Sequence, residues 1–349
     1  MRMLDFEEGG GVLSRGMDCP FQVPLLLTPV YKEYIWGGER LITEFHRRLL
    51  PGRYAESWEI ADHPDGRTRI LNGCEAGLTL SEALARHPAE LLGPGHASMT
   101  RFPLMVKVID AKETLSVQVH PDDESASRVG GEAKSEMWVV LAATPDAHIY
   151  SGFRPGVTPD EFQAALATGT IPSLLQRYPA RPGMVFYTPG GRVHAIGAGC
   201  LLLEIQQDAN TTYRLYDWDR LGLDGKPRPL HLEKALQVIR WEDTASPVAP
   251  VQPELPFVAG AVRRELLETP HFHVQEWRIE DAADLELSGA SFHILFPVDA
   301  PVRIKVAGEP AMILARGTTC LIPAACSRLS IRPDGDSGTS ARILVAELP

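Results

Sequence analysis

The chain has no excess of basic residues, no long apolar run and no paired cysteines, and each absence removes a class of function. Its 34 Lys and Arg stand against 45 Asp and Glu, a formal net charge of -11. Nucleic acid and anionic membrane surfaces select for positive charge, so neither is an expected partner. No stretch approaches the ~20 apolar residues that a membrane span requires. The N-terminal stretch sets Asp5, Glu7 and Glu8 before Gly9-Gly10-Gly11, without the basic start and apolar core of a signal peptide. A cytoplasmic location is expected. The cysteines Cys19, Cys74, Cys200, Cys320 and Cys326 are scattered, odd in number and without a CxxC pair, a pattern of reduced, mostly buried thiols. An anionic substrate would have to find its positive charge inside the site.

What is present is an ordinary globular composition. The 349 residues are 44% hydrophobic and 23% charged, enough for one large domain or two. Short apolar runs bounded by Gly and Pro recur at 104–109, 115–120, 138–141, 185–187 and 201–205, the spacing of a β-sandwich or barrel. Helical signals are fewer. Thr158-Pro159-Asp160-Glu161 is a capping box with Pro at the first helical position, its helix ending near Gly169, and Thr79-Leu80-Ser81-Glu82 has the same form.

Three prolines within 246–253 favour an extended connector. The expected organisation is an N-terminal extension over 1–23, a catalytic β domain over 24–245, the connector, and a second β domain over 254–349. The second part echoes the first. Gly183 precedes Pro189 by the interval that separates Gly317 from Pro323, and Arg328 occupies the position that echoes His194. Two copies of one β fold are expected, with the histidine in the first only.

The run Leu115-Ser116-Val117-Gln118-Val119-His120-Pro121 carries the most chemistry. Strand alternation puts Gln118 and His120 on one face and Val117 and Val119 on the other. An amide oxygen and an imidazole can share a divalent cation, and further donors stand downstream. Glu136 lies in Lys134-Ser135-Glu136-Met137-Trp138, and His194 follows the turn at Pro189-Gly190-Gly191. A lone Gln-x-His is usually a polar pair on a solvated strand face; with Glu136 and His194 added, a metal site is the better reading. The donor types tolerate zinc, manganese, iron, cobalt or nickel.

Several charged residues stand where charge is costly. Lys107 interrupts the run 104–109 and either faces a pocket or snorkels from a strand edge. Glu204 interrupts Leu201-Leu202-Leu203-Glu204-Ile205; a carboxyl held there has a raised pKa and is a candidate proton shuttle or a partner for Arg214. Arg214 has the planar fork that suits an oxyanion such as a phosphate, or it belongs to a surface cluster with Asp217, Asp219 and Arg220. Lys134 lies two residues before Glu136, on the same face if the strand begins there. The pair His271-x-His273 has ligand spacing but no accompanying carboxylate motif and is taken as structural. Trp36 and Trp58 belong to the core or line the pocket.

Gly183-Met184-Val185-Phe186-Tyr187-Thr188-Pro189-Gly190-Gly191-Arg192-Val193-His194 resembles the second cupin motif, with Ala198 where that pattern expects Asn. Gln118-Val119-His120 replaces the usual His-x-His of the first. With Lys134-x-Glu136-Met137-Trp138 and His194-Ala195, these departures resemble the type I mannose-6-phosphate isomerases. So do Tyr31-Lys32-Glu33-Tyr34-Ile35-Trp36-Gly37-Gly38, Glu56-Ser57-Trp58-Glu59 and Asn210-Thr211-Thr212-Tyr213-Arg214-Leu215-Tyr216-Asp217. The likeness spans 24–245 and matches the short bacterial form. It implies a mainly β fold of two cupin-type jelly rolls with a few peripheral helices. It also implies one zinc ion on Gln118, His120, Glu136 and His194, and a sugar-phosphate pocket with Lys107, Lys134 and Arg214. The implied reaction interconverts mannose 6-phosphate and fructose 6-phosphate through an enediolate. Glu204, a lysine and a metal-bound hydroxide all remain open as the base. A metal-dependent oxygenase of a small substrate and a non-catalytic sugar-phosphate sensor are the alternatives.

Overall fold

A run such as Leu104–Ala111 is apolar on both faces except at Lys107 and Asp110, and such a strand is stable only when covered on both sides. The computed structural model, which describes residues 21–335 and 338–349, covers it by stacking four antiparallel sheets. Strands Val185–Thr188, Glu136–Ala143, Cys200–Gln207, Leu104–Ala111, Glu56–Ile60 and Val30–Lys32 form, in that spatial order, a six-stranded sheet. On one side of it lies a five-stranded sheet ordered Leu175–Pro179, His148–Phe153, His194–Ile196, Val117–Val119 and Tyr213–Tyr216. Trp138, Val140, Ile109 and Leu202 of the first meet Ile149 and Ile196 of the second.

On the other side, Val106, Val108, Val139, Leu201, Leu203 and Ile205 pack against Val274, Ile294, Phe296, Leu321 and Leu344 of an eight-stranded sheet. That sheet in turn buries Trp277, Ile279, Ile343 and Val345 against Val302, Ile304, Leu329 and Ile331 of a four-stranded sheet. Each large side chain so covered contributes ~1.5–3 kcal/mol. Parity then fixes the exceptions. With Val106 and Val108 turned to the eight-stranded sheet, Lys107 must point between the first two sheets, and Glu204, flanked by Leu203 and Ile205, does the same.

Both capping boxes are present, at Thr79 before helix Leu80–Arg86 and at Thr158 before helix Pro159–Ala167. Phe162 and Ala165 of the latter, with Ala235 and Val238 of helix Leu232–Val238, cover Val117, Val119, Ala195 and Leu215 on the outer face of the five-stranded sheet. The fold is thus mainly β, two sandwiches with a few peripheral helices.

Pairing departs from the expected division in two places. Leu25–Thr28 hydrogen-bonds to Cys320–Ile322 on one side and to Arg69–Ile70 on the other, so it belongs to the eight-stranded sheet. The sheet beyond residue 253 therefore incorporates strands from before it. The proline-rich stretch is also tied down: Tyr187 N–H donates to Pro247 O at 2.7 Å, and Ala249 N–H to Val185 O at 3.0 Å. Pro lacks the donor a ladder needs but keeps the acceptor. Cys200, Cys320 and Cys326 are buried free thiols and Cys74 is exposed; Cys19, with most of the N-terminal extension, lies outside the described residues. Among the described residues no helix is long and apolar enough to cross a membrane.

Candidate metal centre

Register assembles the site from two facing sheets. In the five-stranded sheet His194, Gln118 and Arg214 are direct cross-strand partners, so their side chains share one face, and His120 continues it just past Val119. In the six-stranded sheet Glu136 opens its strand, and the row Trp138, Glu204, Lys107 and Trp58 runs alongside. His120, Glu136 and His194 are all buried, and one ligating atom from each lies within 4.8 Å of the other two.

Their protonation fits a metal. His120 donates Nδ1–H to Thr211 O at 2.8 Å, and His194 donates Nδ1–H to Arg192 O at 2.9 Å. Each ring therefore turns an unprotonated Nε2 inward. Glu136 Oε1 is 3.1 Å from His194 Nε2 and 3.5 Å from His120 Nε2, and this buried oxygen has no hydrogen-bond donor. The Lys134 ammonium approaches from one side, but Oε1 and the two Nε2 atoms are themselves acceptors turned toward one another, an arrangement that a cation satisfies. Gln118 places its amide Nε2 at 3.3 Å from His194 Nε2; a half-turn of the amide brings Oε1 to the same point. The donor set of two imidazoles, a carboxylate and an amide oxygen fits a divalent metal.

Electrostatics keep the ligands in their binding forms. Burial, reinforced by the Lys134 ammonium, pushes His120 down to about 3, so its ring is neutral. Burial opposes ionisation of Glu136, but the Lys134 ammonium outweighs it and holds the carboxyl well below its usual range. Lys134 Nζ lies 2.6 Å from Glu136 Oε2 and 3.3 Å from His120 Nε2. It does so from an irregular segment, the strand beginning only at Glu136.

Lys107 is 3% exposed and faces the interior rather than snorkelling from an edge. Its Nζ is 3.1 Å from Glu204 Oε2 and 3.8 Å from Glu56 Oε2, and it lies 5.2 Å from the Trp58 ring centroid. Burial pulls its pKa down, yet Glu204 and Glu56 prevail and the pKa is raised. For Glu204 burial wins over Lys107, and its pKa is raised too. Trp138 Nε1–H donates to Glu204 Oε1 at 2.9 Å.

Two expectations change. Glu204 partners Lys107, not Arg214, because those strands are adjacent in register while Arg214 lies on the facing sheet. Arg214 is also no member of a surface ion-pair cluster. Asp217 is taken by Arg220 at 2.8 Å and Arg228 at 2.5 Å, while Arg214 Nη1 donates to Pro229 O at 2.9 Å and its buried Nε has no partner. Among the described residues no carboxylate pairs with Arg214. Sequence reasoning missed Glu56 and Arg228, and the Thr211 and Arg192 carbonyls that orient the histidines. Glu56 was the legible one, two residues before Trp58 and on its face; a backbone carbonyl leaves no mark in a sequence. Trp36 and Trp58 are both buried.

Among the described residues, the only cluster of three such donors is the one in the first half. His271 pairs with Asp123 at 3.1 Å, and His273 with Glu265 and with Glu347. Arg328 begins a strand as His194 does, but it is exposed and pairs with Glu286 at 3.3 Å.

Stacked β-sandwiches with two imidazoles and a carboxylate buried in the first define a metal-binding cupin. Residues 25–151 match the family model described as phosphomannose isomerase type I, catalytic domain. Mannose-6-phosphate isomerase ManA of Bacillus subtilis (strain 168) is 37% identical over 307 residues, 86% of this chain and 93% of that protein. The mannose-6-phosphate isomerase of Streptococcus mutans is 35% identical over 301 residues, 86% and 92% of the two chains. The chain belongs to the type I phosphomannose isomerase family. A crystal structure of the mannose 6-phosphate isomerase from Bacillus subtilis superposes with a TM-score of 0.83 at 31% identity, covering 93% of this chain and 99% of that one. One described as a mannosephosphate isomerase of Archaeoglobus fulgidus shares the fold, with a TM-score of 0.75 at 23% identity.

Proposed function

We propose that the protein interconverts mannose 6-phosphate and fructose 6-phosphate, using one zinc ion held by Gln118, His120, Glu136 and His194. The observation that carries this reading is the convergence of His120, Glu136 and His194 on one point, beside the sheet face that also carries the half-buried Arg214, which has no carboxylate partner among the described residues. The relatives named above, which are mannose-6-phosphate isomerases, support it over an oxygenase or a sensor. A bound divalent metal supplies Lewis acidity toward the substrate oxygens, which makes the C2 proton removable.

The rest falls to this chain's own groups. Glu204 takes the proton from C2; the C2–H electron pair forms the C1–C2 double bond, and the carbonyl pair moves onto O1. Delivery of a proton to C1 by the same carboxyl, after its proton has exchanged with solvent, together with transfer of a proton from O2 to O1, gives the ketose without any external oxidant or reductant. Burial raises the Glu204 pKa toward that of a useful base. Lys107 and Lys134 are already balanced by Glu204, Glu56 and Glu136. Arg214 is the cation left to meet a phosphate or enediolate oxygen.

Purified protein incubated with mannose 6-phosphate in deuterated water tests this. Fructose 6-phosphate bearing solvent deuterium at C1 is expected. Failure to convert the substrate would reject the activity, and conversion without any incorporation would reject the proton-transfer route.

A further inference from the structure

We propose that Glu132 is a positioning residue for the metal centre, fastening the turn that orients His120 to the segment that delivers Lys134. The inference rests on the metal reading above. The His120 ring is fixed by its bond to Thr211 O, so its aim is only as good as the placement of residues 210 and 211. Neither residue belongs to a strand, and no ladder holds them.

Glu132 holds them instead. Its backbone N–H donates to Thr211 Oγ1 at 3.0 Å, the Thr211 hydroxyl donates to Glu132 Oε2 at 3.3 Å, and Asn210 N–H donates to the same oxygen at 3.0 Å. From the other side His63 Nε2 lies 3.1 Å from both carboxylate oxygens. Asp65 N–H donates to His63 Nδ1 at 3.1 Å, which makes Nδ1 an acceptor and leaves Nε2–H facing Glu132. Asn210 Nδ2–H closes the ring on Asp65 Oδ2 at 2.7 Å. Two residues past Glu132, Lys134 N–H donates to Pro121 O at 2.9 Å, and its Nζ meets Glu136 and His120. One carboxylate therefore couples the two segments that set the ligand geometry.

Glu132 touches no proposed ligand itself. It stands in the wall of a cavity of about 440 Å³ that Arg101, Asp208 and His271 also line, with Arg101 Nη1 3.6 Å away. A simple loop staple in this place would add stability without touching metal affinity. Partners that orient a metal-ligating imidazole typically change affinity about 10- to 100-fold when removed.

The test is zinc(II) affinity, measured by competition with a chromophoric chelator, alongside the urea midpoint of each metal-free protein. Glu132→Ala and Thr211→Val are expected to weaken zinc binding about 10- to 100-fold. Glu132→Gln, whose Oε1 can still accept from Asn210 and Thr211, recovers most of the loss, and Arg101→Ala leaves affinity unchanged. Wild-type zinc affinity in Glu132→Ala and Thr211→Val, with only the midpoint lowered, would overturn the proposal in favour of a staple. An equal loss in Arg101→Ala would overturn it in favour of general cavity electrostatics. Wild-type protein that binds no zinc would sink the metal reading and this inference together.

Discussion

At Arg214 the guanidinium has a buried Nε with no partner and a single backbone carbonyl on Nη1, so most of its donor fork is free for a ligand. Lys in its place keeps the charge but loses the paired donors, and one charge-assisted hydrogen bond is worth ~1.5–3 kcal/mol. Arg214→Lys should therefore lower kcat/KM roughly 10- to 100-fold with metal content unchanged. A fall in kcat alone places Arg214 on the enediolate, and a rise in KM alone on the phosphate; wild-type values of both would remove it from the site. Glu204 must be deprotonated to act, and its pKa is raised by burial against Lys107. Activity should then fall as pH drops through that raised value, and Glu204→Gln should lower kcat by about 10²–10⁴ and erase the acid limb. A Glu204→Gln enzyme with an intact acid limb would transfer the role to another group. At this scale the sequence was informative wherever a charge broke an apolar run, as at Lys107 and Glu204. It was silent on partners, because which carboxylate meets which cation depends on strands far apart in the chain.

The elements explain why the donors meet. Val117–Val119 is only three residues long, yet it lies between His194–Ile196 and Tyr213–Tyr216 and so sets Gln118 beside both His194 and Arg214. The echo between the halves extends to element starts, since His194 and Arg328 each open a strand. One faces an interior of acceptors and the other faces solvent. His194→Ala should lose metal and activity, whereas Arg328→Ala should keep both, as read by metal analysis and isomerase rate. Equal losses would place the site elsewhere. Short apolar runs and capping boxes were enough to find five strands of the first sandwich and the helices at Leu80 and Pro159. Leu25–Thr28 was not assignable, because three leucines and a threonine carry no sign that their ladder partners lie at 320–322.

At the scale of the whole molecule, the sandwiches share the core between the six- and eight-stranded sheets, and one end of the eight-stranded sheet is clamped by charge. His273 bonds to Glu347 at 3.1 Å and to Glu265, while His293 reaches the other Glu347 oxygen at 3.1 Å. Glu347, then Glu265, outweigh burial and raise His273 from 6.5 to about 9. Its contribution to stability is thus complete below about pH 6.5 and is lost as pH rises through 9. Glu347 is lowered from 4.5 to about 2, burial being overcome by His273 and His293, and its contribution is lost in the opposite direction, as pH falls from 4.5 toward 2. The urea midpoint should fall between pH 6.5 and 9.5 in the wild type and fall less in His273→Asn; parallel curves would show that the cluster adds nothing. All of these effects surround one claim, that the buried acceptors of the first sandwich hold a metal on which isomerisation depends. The most direct measurement is metal content and mannose 6-phosphate isomerase rate on the same samples, before chelation, after it and after zinc is restored. About one metal per chain, loss of rate with loss of metal, and recovery on restoration are predicted; a metal-free protein that isomerises at the full rate would contradict the account.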